Sequence, residues 1–221
     1  MTSQASDLLP IIFGVAAIGL IPFAVITMTS FLKIAVVIFI LRNALGLQQT
    51  PPNLVLYAIT LVLTLYVSAP VLTAGYRAAT VAGAGGNLGS FPTLLHIGSA
   101  ALAPERAFMI RFVSPKEIAF MQDAAQRLWP PGQAPALAPH NMLVLVPAFM
   151  ISQLTAAFKT GFLLYLPFIT IDLIVSNVLM AMGMIMVSPL VISVPFKLFV
   201  FVLVDGWSLL LHGLLLSYGT P

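Results

Sequence analysis

Asp172 and Lys197 are the two charges set deepest in apolar sequence. An isolated charge at membrane depth costs at least about 2.5–3.5 kcal/mol, so each should pair or face water. They lie in consecutive apolar blocks joined by a turn containing Ser188-Pro189, so acid and base can meet as the blocks fold back. Such a pair serves either as a proton or ion relay or as a buried ion pair that fixes helix register within or between subunits. Lys159 and Asp205 offer a second pair, and no third relay member is visible. That balance favours the structural ion pair. A charge-reversed pair, Asp172→Lys with Lys197→Asp, should then restore assembly lost in either single variant.

Met180, Met182, Met184 and Met186 recur at every second position. On a helix that spacing sets successive side chains roughly 200° apart, so they share a face only if the segment is extended. Gly183 and Ser188-Pro189 favour such an interruption. Methionine is flexible and polarizable. A ring of these loops would form a deformable apolar plug of the kind that gates pores by excluding water. Ordinary packing of methionine in an apolar helix is the plainer alternative.

Other chemistry is poorly supported. Ser152, Gln153 and Thr155 sit in apolar sequence and can hydrogen-bond between helices. Ser152 lacks the GxSxG context or a nearby base that nucleophilic catalysis needs. Asp172 and Asp205 could form a carboxylate dyad by residue type, but each has a candidate lysine partner. The absence of cysteine excludes disulfides and thiolate sites, and His96, His140 and His212 are too scattered for a zinc motif. No catalytic residue, cofactor or metal is expected.

The elements that must hold these residues follow from composition. The 221 residues are 60% hydrophobic and 7% charged, with a mean hydropathy of +1.08. Soluble domains carry roughly 25% charged residues. The chain is therefore a polytopic membrane protein or one whose apolar surface is covered by partner subunits. The net charge of +3 is spread too thinly to form a nucleic-acid patch. No basic residue precedes Lys33, so no secretory signal peptide is expected.

Leu8 to Leu41 forms the first apolar block, which Pro22 should kink or split. Leu54 to Thr73 forms the second, with Pro70 near its end. Gly83, Gly85, Gly86 and Gly89 mark a loop over Val81 to Ser90. Pro104 to Trp129 reads as two short amphipathic helices separated at Ser114-Pro115. Pro130 to Pro139 is a proline-rich linker. A third block runs from Asn141 to Phe158, a break falls at Lys159-Thr160-Gly161, and a fourth block reaches Met186. Val194-Pro195 closes a short segment, and the last block runs from Phe196 to Tyr218. The positive-inside rule places the first linker in the cytoplasm and the central region outside, although the basic residues of that region oppose this.

The expected fold is all-α, built of hydrophobic helical hairpins with kinked helices and a central polar helical region. The expected domains are residues 1–75 (apolar helices), 76–140 (polar, extramembrane, on the periplasmic side) and 141–221 (apolar helices with the methionine loop).

Pro147 through Phe162, reading PAFMISQLTAAFKTGF, resembles a signature of the FliP/SctR family of type III secretion export proteins. Pro167 through Asn177, the methionine segment with Val187-Ser188-Pro189, and Pro195-Phe196-Lys197-Leu198 with Val204-Asp205-Gly206-Trp207 resemble its later motifs. Thr29-Ser30-Phe31 through Pro51-Pro52-Asn53 and Ser68-Ala69-Pro70 fit as well. Thr160 departs, standing where the family carries a bulkier apolar residue.

The resemblance implies a non-enzymatic subunit of the export gate. Five copies would join two small hydrophobic proteins, FliQ/SctS-like and FliR/SctT-like, in a helical ring or cone at the bacterial inner membrane. That assembly would lie largely on the periplasmic side, with hairpins packing on one another. Unfolded secreted proteins would pass through it. Met180, Met182, Met184 and Met186 would form the pore gasket, and Asp172 and Lys197 would tie the ring. The missing signal peptide points to an injectisome member over a flagellar one. The competing reading is a polytopic small-solute secondary transporter, suggested by proline-broken blocks near the midplane. It should show inverted repeats, and none is visible.

Overall fold

A computed structural model describes residues 15, 19–84, 91–129, 140–184 and 186–219. Every regular element among the described residues is a helix. In chain order these are α1 (Gly19–Met28), α2 (Phe31–Ala44), α3 (Asn53–Gly83), α4 (Phe91–Phe112), α5 (Pro115–Leu128), α6 (Met142–Ala181), α7 (Pro189–Leu203) and α8 (Gly206–Leu216). The expected proline-rich linker, residues 85–90 of the glycine loop and the start of the first apolar block lie outside the described residues. Helices α3 and α6 are each long and apolar enough to cross a membrane. The number rises to four if each of two bent helix pairs counts as one span.

Several helix ends differ from the sequence expectation, each for a local reason. The first block does not break at Pro22, which lies within α1. It breaks at Thr29-Ser30, where the Phe31 N–H donates to Thr29 Oγ1 at 3.2 Å. Short hydroxyl side chains compete with helical backbone bonds in this way. The second block continues past Thr73, so α3 carries Pro70 in its interior and ends at Gly83.

Lys159-Thr160-Gly161 is not a break. It lies inside the 40-residue α6. Gly161 is there for close approach: a Cβ would meet Ile40 Cδ1 at 2.5 Å. Pro195 likewise lies within α7. An interior proline costs about 3 kcal/mol or more, so packing must outweigh it. The next residue upstream, Val194, is packed against Gly46.

The last block is two helices. Chain direction turns by 63° between α7 and α8. Asp205 sits at the turn with a left-handed φ of 51°, a conformation aspartate tolerates better than most residues. Gly206 follows it because the Phe201 ring occupies the space a Cβ would need.

The described residues group into two compact units. The first comprises Met1–Leu32 and Ser68–Gln153. Its core is Met109, Val113, Leu145, Ala148 and Phe149, with Phe108, Phe112 and Ile118 packed against it. The Phe108 ring lies 6.1 Å from that of Phe149 and 5.0 Å from that of Phe112. These residues come from α4, α5, the start of α6 and, for Val113, the break between α4 and α5, so the amphipathic helices expected from the sequence use their apolar faces here. Ser114 separates α4 from α5, and Pro115 opens α5 where its missing N–H costs nothing.

The second unit comprises Lys33–Val67 and Leu154–Pro221. Helix α2 buries Ile34, Val37, Ile38, Leu41 and Ala44, which repeat at the three- and four-residue intervals of one helical face. Each fully buried large aliphatic contributes ~1.5–3 kcal/mol. An aromatic ladder links α6, α7 and α8: Phe168 to Phe201 at 6.3 Å, then Phe201 edge-on to Trp207 at 5.5 Å.

Candidate functional site

The chain places its most constrained charge at the end of α2. That helix stops in a two-bond C-terminal cap. The Gly46 N–H donates to Asn43 O at 3.0 Å and the Leu47 N–H to Arg42 O at 3.2 Å. Gly46 supplies the left-handed step, with φ at 76°. This cap satisfies the carbonyls of Arg42 and Asn43 but not that of Ala44, which is fully buried.

Lys197 completes it. Its ammonium donates to Ala44 O at 3.0 Å and to Asp172 Oδ2 at 2.7 Å. The Lys197 side chain is 3% exposed and that of Asp172 is 37% exposed. The contact is therefore lopsided: a buried cation reaching a carboxylate that still touches the outside. A cation at a helix C-terminus also opposes the partial negative charge that gathers there. Three elements, α2, α6 and α7, are joined through one nitrogen. The Asp172–Lys197 contact lies within a single chain. The sequence reading paired these residues but missed Ala44. The Asn43-Ala44-Leu45-Gly46 stop signal was the available clue.

Among the described residues no ion pair joins Lys159 to Asp205. Asp205 instead occupies the left-handed position that opens α8, where its carbonyl accepts the Leu209 N–H at 3.1 Å. The two aspartates thus serve different local purposes.

The methionines lie at the C-terminal end of α6 and in the turn that follows. This helix closes with the same cap as α2. The Gly183 N–H donates to Met180 O at 3.0 Å and the Met184 N–H to Leu179 O at 3.0 Å. Gly183 takes the left-handed step at φ 73°. Met180 occupies the last helical turn, Met182 the cap, and Met184 the residue beyond the glycine. Met186 lies in the turn before α7. Met180, Met182 and Met184 are 62%, 65% and 39% exposed, and Met186 is fully exposed. The segment is part helix end and part turn, and it presents four thioether side chains outward.

Ser152 and Gln153 act as connectors in the first unit. The Ser114 N–H donates to Ser152 Oγ at 2.9 Å, and that hydroxyl donates to Ala148 O at 2.7 Å. Gln153 Nε2 donates to Phe112 O at 3.3 Å. Together they bind the break between α4 and α5 to α6, which agrees with interhelical hydrogen bonding.

Comparison with known proteins gives a consistent result. The FliP family matches residues 15–214. The chain is 45% identical to Yop proteins translocation protein R of Yersinia pestis, over 98% of this chain and 99% of that protein. It is 44% identical to hypersensitivity response secretion protein HrcR of Ralstonia nicotianae, over 97% and 99% of the two chains. Virulence protein YscR of Salmonella typhimurium is 46% identical, over 91% and 92%.

Proposed function

This chain belongs to the FliP family, as an injectisome-type component of the type III secretion export apparatus, and from that membership we propose that it is a non-enzymatic subunit of the export gate. Its relatives are named as secretion and translocation proteins, which sets aside the solute-transporter reading. Five copies assemble with FliQ/SctS-like and FliR/SctT-like proteins at the inner membrane, largely on its periplasmic side. Unfolded proteins pass through the closed ring when it opens.

The observation that carries this reading is the methionine turn. Four thioether side chains stand exposed on a capped helix end whose backbone is held by two hydrogen bonds. A fixed base with flexible tips suits a gasket. The backbone sets where the ring closes, and methionine's rotatable bonds let it seal around irregular gaps. Narrow apolar constrictions also exclude water and ions without a charged barrier. In this picture Asp172 and Lys197 act within each subunit, where they hold the hairpin that carries the methionines.

The test is ion leak through the assembled apparatus. Replacing Met180, Met182, Met184 and Met186 with alanine should raise resting conductance of membranes holding the complete gate, with assembly intact. An assembled quadruple variant as ion-tight as the parent would sink the gasket role.

A further inference from the structure

Lys33 is the second buried lysine, and its partners are neutral. It is 9% exposed. Its ammonium donates to Ser217 Oγ at 2.7 Å and lies 4.5 Å from the centre of the Tyr218 ring. The Ser217 hydroxyl donates to Leu214 O at 2.6 Å, which leaves a lone pair for the lysine. No acid pairs with Lys33 among the described residues. An ammonium has three donor hydrogens, so capacity for an anion remains. A buried charge without a counter-ion is costly.

Lys33 also lines an apolar groove of about 400 Å³. The groove follows α2 from Lys33 to Leu41, about 12 Å at the helical rise of 1.5 Å per residue. Leu164 and Phe168 of α6 and Leu210 and Gly213 of α8 line it. A Cβ added to Gly213 would meet nothing within 4 Å, so that glycine leaves room. A bilayer leaflet holds about 15 Å of hydrocarbon, half the ~30 Å core. A cation near one end of an apolar channel of nearly that length matches an anionic head joined to one acyl chain.

We propose that this groove is a lipid site: one acyl chain of an anionic phospholipid lies along α2, with its phosphate on the Lys33 ammonium. Basic pockets between apolar helices hold anionic head groups by this chemistry. The site does not depend on gating, because it is complete within one chain.

Native mass spectrometry of the full chain in mild detergent tests it, with phosphatidylglycerol, phosphatidylethanolamine and oleate as probes. Phosphatidylglycerol should be retained about fivefold better than phosphatidylethanolamine, the preference one lysine near a membrane surface supplies. Lys33→Gln should abolish that preference and Lys33→Arg should keep it. Gly213→Leu should lower retention of both phospholipids by filling the groove. Gly213→Leu is also the readout if Lys33→Gln fails to fold. Equal retention of the two phospholipids, or an unchanged preference in Lys33→Gln, overturns the proposal. Displacement of phospholipid by equimolar oleate assigns the groove to free fatty acid and overturns the phospholipid. A lipid-free oligomer that is lost in Lys33→Gln overturns it in favour of an acidic side chain from a second copy.

Discussion

Lys197 and Asp172 are joined by one contact but lose different things when it breaks. Asp172 is 37% exposed and can turn to water, whereas Lys197 is 3% exposed and cannot. Asp172→Ala strands a buried cation and should cost about 3 kcal/mol, the lower end of the range for breaking a buried pair. Lys197→Met removes the cation and fills its space, so it should cost only about 1–2 kcal/mol, mainly for the orphaned Ala44 carbonyl. The double variant should be more stable than Asp172→Ala alone. Thermal unfolding in detergent measures all three, and strictly additive losses would contradict the account. The Ala44 contact also changes the expectation for the charge-reversed pair. A carboxylate at position 197 would face that carbonyl as a second acceptor, so reversal should not restore assembly.

Glu105 gives a pH dependence at the same scale. It lines a groove of the first unit with Val25, Gly75, Tyr76 and Leu102. Its Oε1 is buried without a hydrogen-bond partner. Burial raises its pKa from the usual 4.5 to about 7. The folded state therefore holds a proton that the unfolded chain releases between those values. Stability from this group is fully present below about 4.5 and lost as pH rises through about 7. Glu105→Gln should flatten that part of the melting-temperature profile. A parallel slope in parent and variant would remove Glu105 as its source.

At the scale of the element, two helices end in the same cap but with different surroundings. Gly46 and Gly183 both take a left-handed step. A Cβ at Gly46 would also lie 2.6 Å from Val194 Cγ2, while one at Gly183 meets nothing within 4 Å. Gly183→Ala should cost about 1 kcal/mol, the backbone term alone. Gly46→Ala should cost that plus about 1–3 kcal/mol of overpacking. Adding Val194→Ala to Gly46→Ala should recover part of the loss. Equal melting shifts for the two single variants would rule out the packing term. Gly161 carries the same lesson in the opposite sense. Its signal in the sequence was a helix break, and its use in the fold is contact with Ile40.

For the whole molecule, the question is what covers its apolar surface. On α3 the buried positions Leu56, Thr60 and Thr64 follow one helical stripe. The two threonine hydroxyls are satisfied by the carbonyls four residues back, Leu56 O and Thr60 O, both at 2.8 Å. Meanwhile Leu54, Val62 and Tyr66 are 79%, 66% and 72% exposed. A narrow buried stripe that includes two threonines, with large apolar residues outside it, suits a helix whose outer face meets lipid or neighbouring subunits. The proposed ring predicts a discrete mass of several copies when the protein is extracted with its two partner proteins. A strict monomer under those conditions would count against the gate.

Composition alone determined that the chain is helical and bound to membrane or partners. With 7% charged residues it has no soluble alternative, and its apolar runs are far longer than strands require. The export-protein motifs were equally plain, since they lie in contiguous residues such as Pro147 to Phe162. Which breaks are real was decided only in three dimensions. Proline and glycine are local signals, and the helices run on through Pro70, Pro195 and Gly161 all the same. The same holds for the charges. Asp172 and Lys197 were legible as partners because each is conspicuous in apolar sequence. The Ala44 carbonyl that completes their site has no side-chain signature, and the neutral cradle of Lys33 joins residues 184 positions apart. Backbone groups and distant neighbours acquire a role only when folding places them, so tertiary structure alone could assign them.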